Sequence, residues 1–285
     1  MSGEHYILRP ADLPKAADVH KPVSLLSRIG NNTLLRRTLV VLVILAVWEV
    51  AARLSATPLI LPTVTDTLLA LKDAILSRDD GFLGYVAESL RSLLTGFALG
   101  TAAAALLTVF AYTTRVGEDF LSTVTSAFAP LPAVAIFPLA MMWFGISWTA
   151  IVFITTWATV FPVAVAMFQG FRGVSPTLRA VGTNYGLKGL RLTAEVLIPA
   201  ALPSIMTGLR SGLSNAFRAL VALEMVVGAA AGKGGLGWFV MAEKQNLEIP
   251  TVFAGILAIM AIGLAFEGLF ALLERVTVRR WGMLR

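Results

Sequence analysis

Cysteine is absent from the sequence, and its only two histidines, His5 and His20, stand in the first polar stretch. The first absence excludes a disulfide framework, a thiol nucleophile and thiolate metal ligation; the second removes histidine from any site built in the apolar body of the chain. Charge is scarce as well, with 14% of the 285 residues charged against 57% hydrophobic and a mean hydropathy of +0.79. A single soluble core has no use for so much apolar material. The net charge of +6 arises from basic residues scattered among apolar runs without a stripe, which argues against nucleic acid as a partner.

Long apolar runs are what the chain has in abundance. A hydrocarbon core about 30 Å thick needs about 20 helical residues, and the runs at 38–52, 93–112, 125–144, 148–168, 205–227 and 253–273 approach or reach that length. They predict an all-α, polytopic membrane protein of about six transmembrane helices. Residues 1–33 mix charge with Pro10, Pro14, Pro22, Asn31 and Asn32 and show no period, so they are expected to form a disordered tail ahead of a membrane domain spanning 34–285. The first run is short, lies between Arg37 and Arg53 and contains Glu49; snorkelling arginines accommodate it. A cleaved signal peptide is the rival there, disfavoured because Glu49 stands where a small-residue cleavage site belongs. In 59–76, Val64, Leu68, Leu71 and Ile75 recur at helical spacing with Asp66 and Asp73 elsewhere on the turn, the pattern of a short amphipathic helix at the outer interface.

Lys and Arg concentrate on the cytoplasmic side of membrane proteins. One set of segments carries the basic residues of the tail, then Arg115, Arg172, Arg179, Lys188 and Arg191, then Arg275, Arg279, Arg280 and Arg285. The opposite set carries fewer: Arg53, Lys72, Arg78, Arg91, Lys233 and Lys244. Both termini are therefore expected on the cytoplasmic side.

The segment 172–203, on that same side, carries its own helix signals. Ser175 can cap a helix at Pro176, whose missing N–H costs nothing in a first turn. Gly186 can end that helix in a left-handed conformation, and a second helical stretch over 190–198 then meets Pro199. A helix, a glycine turn and a second helix suit docking into a groove on a cytoplasmic partner, and they equally suit an ordinary interfacial helix pair. Spacing alone does not separate the two.

Gly186, followed thirteen residues later by Pro199 and then by Ala200-Ala201-Leu202-Pro203-Ser204-Ile205-Met206-Thr207-Gly208-Leu209-Arg210, resembles the signature loop of binding-protein-dependent ABC permeases. In that family the loop is the coupling helix that sits on the ATPase subunit. The resemblance implies a coupling role for Ser175, Pro176, Arg179, Ala180, Gly186, Lys188 and Pro199. One departure is plain: the family usually opens the motif with Glu-Ala-Ala, and this chain has Ala180-Val181-Gly182, which shifts the docking contact towards Arg179 or Lys188. Pro130-Leu131-Pro132-Ala133, Phe137-Pro138-Leu139 and Trp143-Phe144-Gly145 resemble the third span of nitrate, sulfonate and taurine type permeases. With Ala222-Leu223-Glu224-Met225 and Gly234-Gly235-Leu236-Gly237, the resemblance covers roughly residues 40–280. It implies a permease subunit without its own ATPase site or cofactor, in a bacterial inner membrane. The implied partners are two ATPase subunits, an extracytoplasmic solute-binding protein and a second permease copy forming a homodimer. The implied cargo is a small anion.

Pro132, Pro138, Trp143, Arg218 and Glu224 are the candidate residues of the translocation path. Inside a helix, Pro132 would free the carbonyl of Phe128 and Pro138 that of Val134, and such irregularity at membrane depth is tolerated where it faces a cavity or packed protein. Arg210, Arg218 and Glu224 fall in the 205–227 run, where an ionisable group costs at least ~2.5 kcal/mol at mid-bilayer unless it is paired or wet. Arg218 is expected to face the path and favour anions, Arg210 to meet lipid phosphate or the coupling segment, and Glu224 to need another partner; an arginine bonded to a neighbour's backbone carbonyls is the plain alternative. The stretch 228–234 is no phosphate-binding loop, having three residues between its glycines and Gly234 in place of Ser or Thr. Gly208-Leu209-Arg210-Ser211-Gly212 is one residue too long for an intramembrane serine-protease signature and finds no histidine as base. An ATP-independent carrier or channel remains the competing class, and the internal repeat it should show is not evident. Nitrate, sulfonate, taurine, an aromatic acid and a small heterocycle all remain open as cargo.

Overall fold

The computed structural model describes residues 33–55, 57, 59–77, 81–128, 130–231 and 234–279, and every regular element among them is helical. The chain divides into two units, one ending at Leu54 and the other running from Ser55. The described part of the first is α1 (Thr33–Ser55) up to its last residue, a helix longer at both ends than the expected run because Arg36, Arg37 and Arg53 join it. Glu49 is compensated within the helix: Nε of Arg53 donates to its Oε1 at 2.8 Å, an i,i+4 ion pair. Residues 1–32 of the expected tail lie outside the described residues.

The second unit is built round α6 (Trp148–Gly173), which packs most extensively against α9 (Ile198–Val227) and α3 (Gly81–Thr113). Glycines set these distances. A Cβ on Gly96 of α3 would lie 1.9 Å from Oγ1 of Thr155, and one on Gly100 would lie 2.5 Å from Cβ of Thr159. On the α9 side, a Cβ on Gly208 would meet Ala166 at 2.6 Å and one on Gly212 would meet Val163 at 2.7 Å. Both seams use glycines four apart, the device by which membrane helices bring their backbones together in the absence of a hydrophobic drive. Thr155 and Thr159 satisfy their hydroxyls on carbonyls of their own helix, whereas the buried hydroxyls of their neighbours Thr101 and Thr156 find no partner among the described residues. Leu93, Ile154, Leu220 and Leu223 fill the core beside it.

Among the described residues five helices are long and apolar enough to cross a membrane, six if one bent pair counts as a single span. Four expected spans fall inside α3, α6, α9 and α11 (Ile249–Glu274). α3, at 33 residues, is about 50 Å long and exceeds the hydrocarbon thickness. The expected span at 125–144 is the exception. It is split between α4 (Arg115–Phe128) and a 3-10 turn, Ala133–Ile136, that leads into α5 (Phe137–Phe144), the two halves meeting at 89°. Pro132 caps the 3-10 turn and Pro138 lies in the first turn of α5, so neither interrupts a helix from within. The carbonyls expected to be freed are engaged: Leu131 N–H donates to Phe128 O at 3.0 Å, and Phe137 N–H donates to Val134 O. Prolines that cannot donate are least costly where a helix begins, and here they divide one span into two short helices.

The expected amphipathic helix is α2 (Val64–Leu76), capped by Thr63, whose Oγ1 accepts from Asp66 N–H at 3.0 Å. It packs against α11. Its inward face differs from the expected stripe: Thr67 is fully buried and Leu71 and Ala74 pack on Phe82 and Phe239, whereas Leu68 and Ile75 are exposed. Leu71 is shared by the two sets; the inward line runs through 67, 71 and 74, and an apolar surround removes the penalty on an outward leucine.

Candidate functional site

The 89° break leaves space. A cavity of about 640 Å³ lies between α4, the turn after it, α6 and α9. α6 contributes Trp157, Ala158, Phe161, Pro162, Val165, Ala166 and Gln169; α9 contributes Thr207, Gly208, Ser211, Asn215, Arg218 and Ala219; Thr125, Phe128 and residues 131–134 close the third side. Trp157 and Phe161 are four apart and project from one face of α6, with ring centroids 5.0 Å apart and edge to face. Phe128 meets Trp157 edge-on at 5.3 Å and lies nearly parallel to Phe161 at 6.2 Å. Pro162, interior to α6, offers no N–H to the carbonyl of Ala158, and both residues line the cavity.

Of the five candidate path residues, Pro132 and Arg218 line this cavity. Pro138 is exposed on α5; Trp143 is exposed there too and rests against Phe144 and Phe153. Glu224 lies elsewhere, 3% exposed, and accepts from Oγ of Ser89 at 2.7 and 2.8 Å and from Gly237 N–H at 3.0 Å. The same Ser89 Oγ accepts from Leu236 N–H at 2.8 Å. Leu236 and Gly237 open α10 (Leu236–Gln245), so this node satisfies two N–H groups that a helix start otherwise leaves orphaned and puts a carboxylate at its positive end.

The two arginines of α9 meet different fates. Arg210 is ion-paired with Glu267 and lies 3.9 Å from Glu274, both on α11, in place of the expected lipid phosphate or coupling segment. Arg218 donates to Oδ1 of Asn215, one turn away, and has no carboxylate within ion-pair distance among the described residues. Among the described residues no Asp or Glu lines the cavity it borders. Among the described residues no group of three or more acidic or histidine side chains is placed to hold a metal ion.

The segment 172–203 forms the expected helix, glycine turn and helix. α7 (Pro176–Asn184) begins after Ser175, which occupies the cap position without a side-chain cap bond; the proline does the work of starting the helix. Gly186 adopts φ +80°, its N–H donating to Thr183 O at 2.9 Å. α8 (Gly189–Leu192) then runs through a π turn, Thr193–Leu197, into α9, so Pro199 lies in the first turn of a 30-residue helix. Gly182 is buried against Leu192 and Val196, which closes α7 onto the following helix. Ala180 and Lys188 are exposed. Arg179 turns inward: its guanidinium donates to the carbonyls of Phe171 and Arg172 at the end of α6 and lies 5.5 Å over the ring of Tyr112. Arg172 in turn pairs with Glu118 of α4. Four apolar side chains also face outward among the polar ones, Tyr185 83%, Leu190 71%, Val181 45% and Leu178 44% exposed.

Sequence reasoning passed over Phe128, Trp157, Phe161, Gln169 and Asn215 as cavity residues. The i,i+4 aromatic pair in α6 was a visible signal, but nothing local distinguishes a ring that lines a cavity from one that fills a core.

A polytopic helical bundle with a helix–turn–helix between two spans, and a cavity lined by an arginine that meets no carboxylate among the described residues, is the architecture of a membrane transport subunit. Residues 96–279 match the family of binding-protein-dependent transport system inner membrane components, and the chain belongs to that family. It is 30% identical over 236 residues to the putative aliphatic sulfonates transport permease protein SsuC of Bacillus subtilis (strain 168), covering 82% of this chain and 83% of that one. It is 32% identical to the taurine transport system permease protein TauC of Escherichia coli (strain K12), over 82% of this chain and 86% of the relative. The formylaminopyrimidine transport permease protein ThiX of Halalkalibacterium halodurans is 26% identical over 81% of this chain and 89% of its own. The protein is thus a multi-pass ABC transporter permease.

Proposed function

We propose that this chain is the translocation subunit of an ATP-driven importer for a small organic anion in a bacterial inner membrane, with both termini cytoplasmic. Two copies form the permease, because each chain supplies one coupling segment and ABC engines work as pairs. Two ATPase subunits bind the 172–203 segments, and an extracytoplasmic binding protein delivers the cargo. Closure of the ATPases on ATP displaces α7; since Arg179 ties α7 to the end of α6, the displacement reaches the helix that carries Trp157 and Phe161. The relatives named for sulfonates and taurine support an anionic cargo, as does Arg218, a cation that donates to the amide of Asn215 and meets no carboxylate among the described residues.

The observation that carries the coupling reading is the exposed apolar crest of Leu178, Val181, Tyr185 and Leu190 on a segment tied to the bundle from within. Exposed apolar side chains on the polar loop of a membrane protein, Tyr185 and Leu190 above all, call for a protein partner. Affinity purification of the tagged full chain from its own operon tests it. The wild type brings down an ATP-binding subunit in stoichiometric amount; Tyr185→Glu, which touches nothing inside, and Gly186→Pro, which cannot hold φ +80°, both lose it. A chain that purifies alone and moves solute into liposomes without ATP is a carrier, and the reading fails.

A further inference from the structure

The cavity gathers most of its polar groups on one helix and its rings on the facing side, with Thr125 of α4 and Gln169 of α6 as polar exceptions. On α9, Thr207, Ser211, Asn215 and Arg218 recur at spacings of four, four and three, a single polar stripe down one face. Opposite it stand the rings of Phe128, Trp157 and Phe161, packed on one another at 5.0 to 6.2 Å. A hydrated inorganic anion would use the stripe and gain nothing from the ring faces, while burying its charge against a largely apolar wall. A zwitterion would bring a primary ammonium into a cavity that no carboxylate lines among the described residues. A monoanion with a flat apolar body satisfies both sides: its oxygens take the guanidinium of Arg218, and its body covers the ring wall.

The geometry points to a permease-level binding site, additional to that of any binding protein, for organic monoanions bearing an aromatic or comparably flat apolar body, with Arg218 as the anion ligand and Phe128, Trp157 and Phe161 as the body subsite. This rests on the anion-permease reading above and narrows it. The volume of about 640 Å³ holds one such molecule with room to pass.

Calorimetric titration of the full chain in lipid nanodiscs tests the proposal with four probes: benzenesulfonate, methanesulfonate, taurine and the neutral benzenesulfonamide. Benzenesulfonate is expected to bind about tenfold more tightly than methanesulfonate, the ring's share, and about tenfold more tightly than benzenesulfonamide, the charge's share. Arg218→Gln should abolish the second gap and Arg218→Lys restore part of it; Trp157→Leu should abolish the first gap while methanesulfonate binding stays. If Trp157→Leu loses its helical circular dichroism, Phe128→Leu, at the more exposed ring, takes its place. Equal binding of the two sulfonates, both weakened by Arg218→Gln, overturns the apolar-body class and leaves the anion reading standing. Equal binding of benzenesulfonate and benzenesulfonamide, or no binding of either at millimolar concentration, overturns both. Taurine binding more tightly than benzenesulfonate overturns the monoanion in favour of a zwitterion site.

Discussion

α6 has two opposite faces that obey opposite rules. Toward α3 it is closed to backbone contact, with Gly96 and Gly100 seated on Thr155 and Thr159 and no room for one more carbon. Toward α4 it carries Trp157, Phe161 and Val165, the larger side chains, and yet encloses about 640 Å³ of unfilled space. Packing alone would have done the reverse, since large residues fill and small ones leave gaps. The rings keep the cavity open because the prolines at 130 and 132 turn the chain away through 89° before another helix can close on them. One side of the bundle is built for rigidity and the other for occupancy.

The comparison breaks most readily at its closed side. Gly96→Val would set carbon atoms inside the van der Waals radius of Thr155, and helices fixed by that contact must separate; a loss of about 3 kcal/mol is expected, read as a lowered thermal midpoint in nanodiscs. A midpoint unchanged from wild type would mean that the α3–α6 seam yields. Glu224→Ala comes next, leaving Ser89 and Gly237 N–H without their acceptor in a buried site, at about 2 kcal/mol. Glu224→Gln should recover part of that, because the amide oxygen can still accept. If the two variants melt together, the node is not what holds the start of α10.

These expectations also mark what a sequence can show. The spans of α3, α6, α9 and α11 were legible, because length and hydropathy are properties of a continuous stretch. So was the turn at Gly186, where a glycine between two helix signals has few other uses. The break at 125–144 was misjudged since hydropathy runs straight through it, and proline reads alike as a kink and as a helix start. Glu224 drew notice as a charge in an apolar run, but its partner Ser89 stands 135 residues earlier, beyond any local pattern. Arg179 shows the same limit: it reads as a surface cation on the coupling segment and in fact reaches back to the last carbonyls of α6.

The smallest stability effects sharpen the comparison most. Arg210 and Arg218 occupy one helix, eight residues apart, and a hydropathy scale scores them alike. Arg210→Gln frees Glu267 and Glu274 from their counter-charge, and since the pair is about half exposed the cost should be about 0.5 kcal/mol. Arg218→Gln removes a cation that, among the described residues, bonds the amide of Asn215 and relieves no carboxylate, so the thermal midpoint should stay within scatter of the wild type. Uptake of a sulfonate by the assembled transporter should reverse the order, with Arg218→Gln lowering it about tenfold and Arg210→Gln changing it little. A residue that stability does not need, yet transport does, is one whose partner arrives from outside the chain. Should Arg218→Gln instead melt early and transport normally, its guanidinium belongs to the packing of α9, and the two sides of the bundle differ only in how well they are filled.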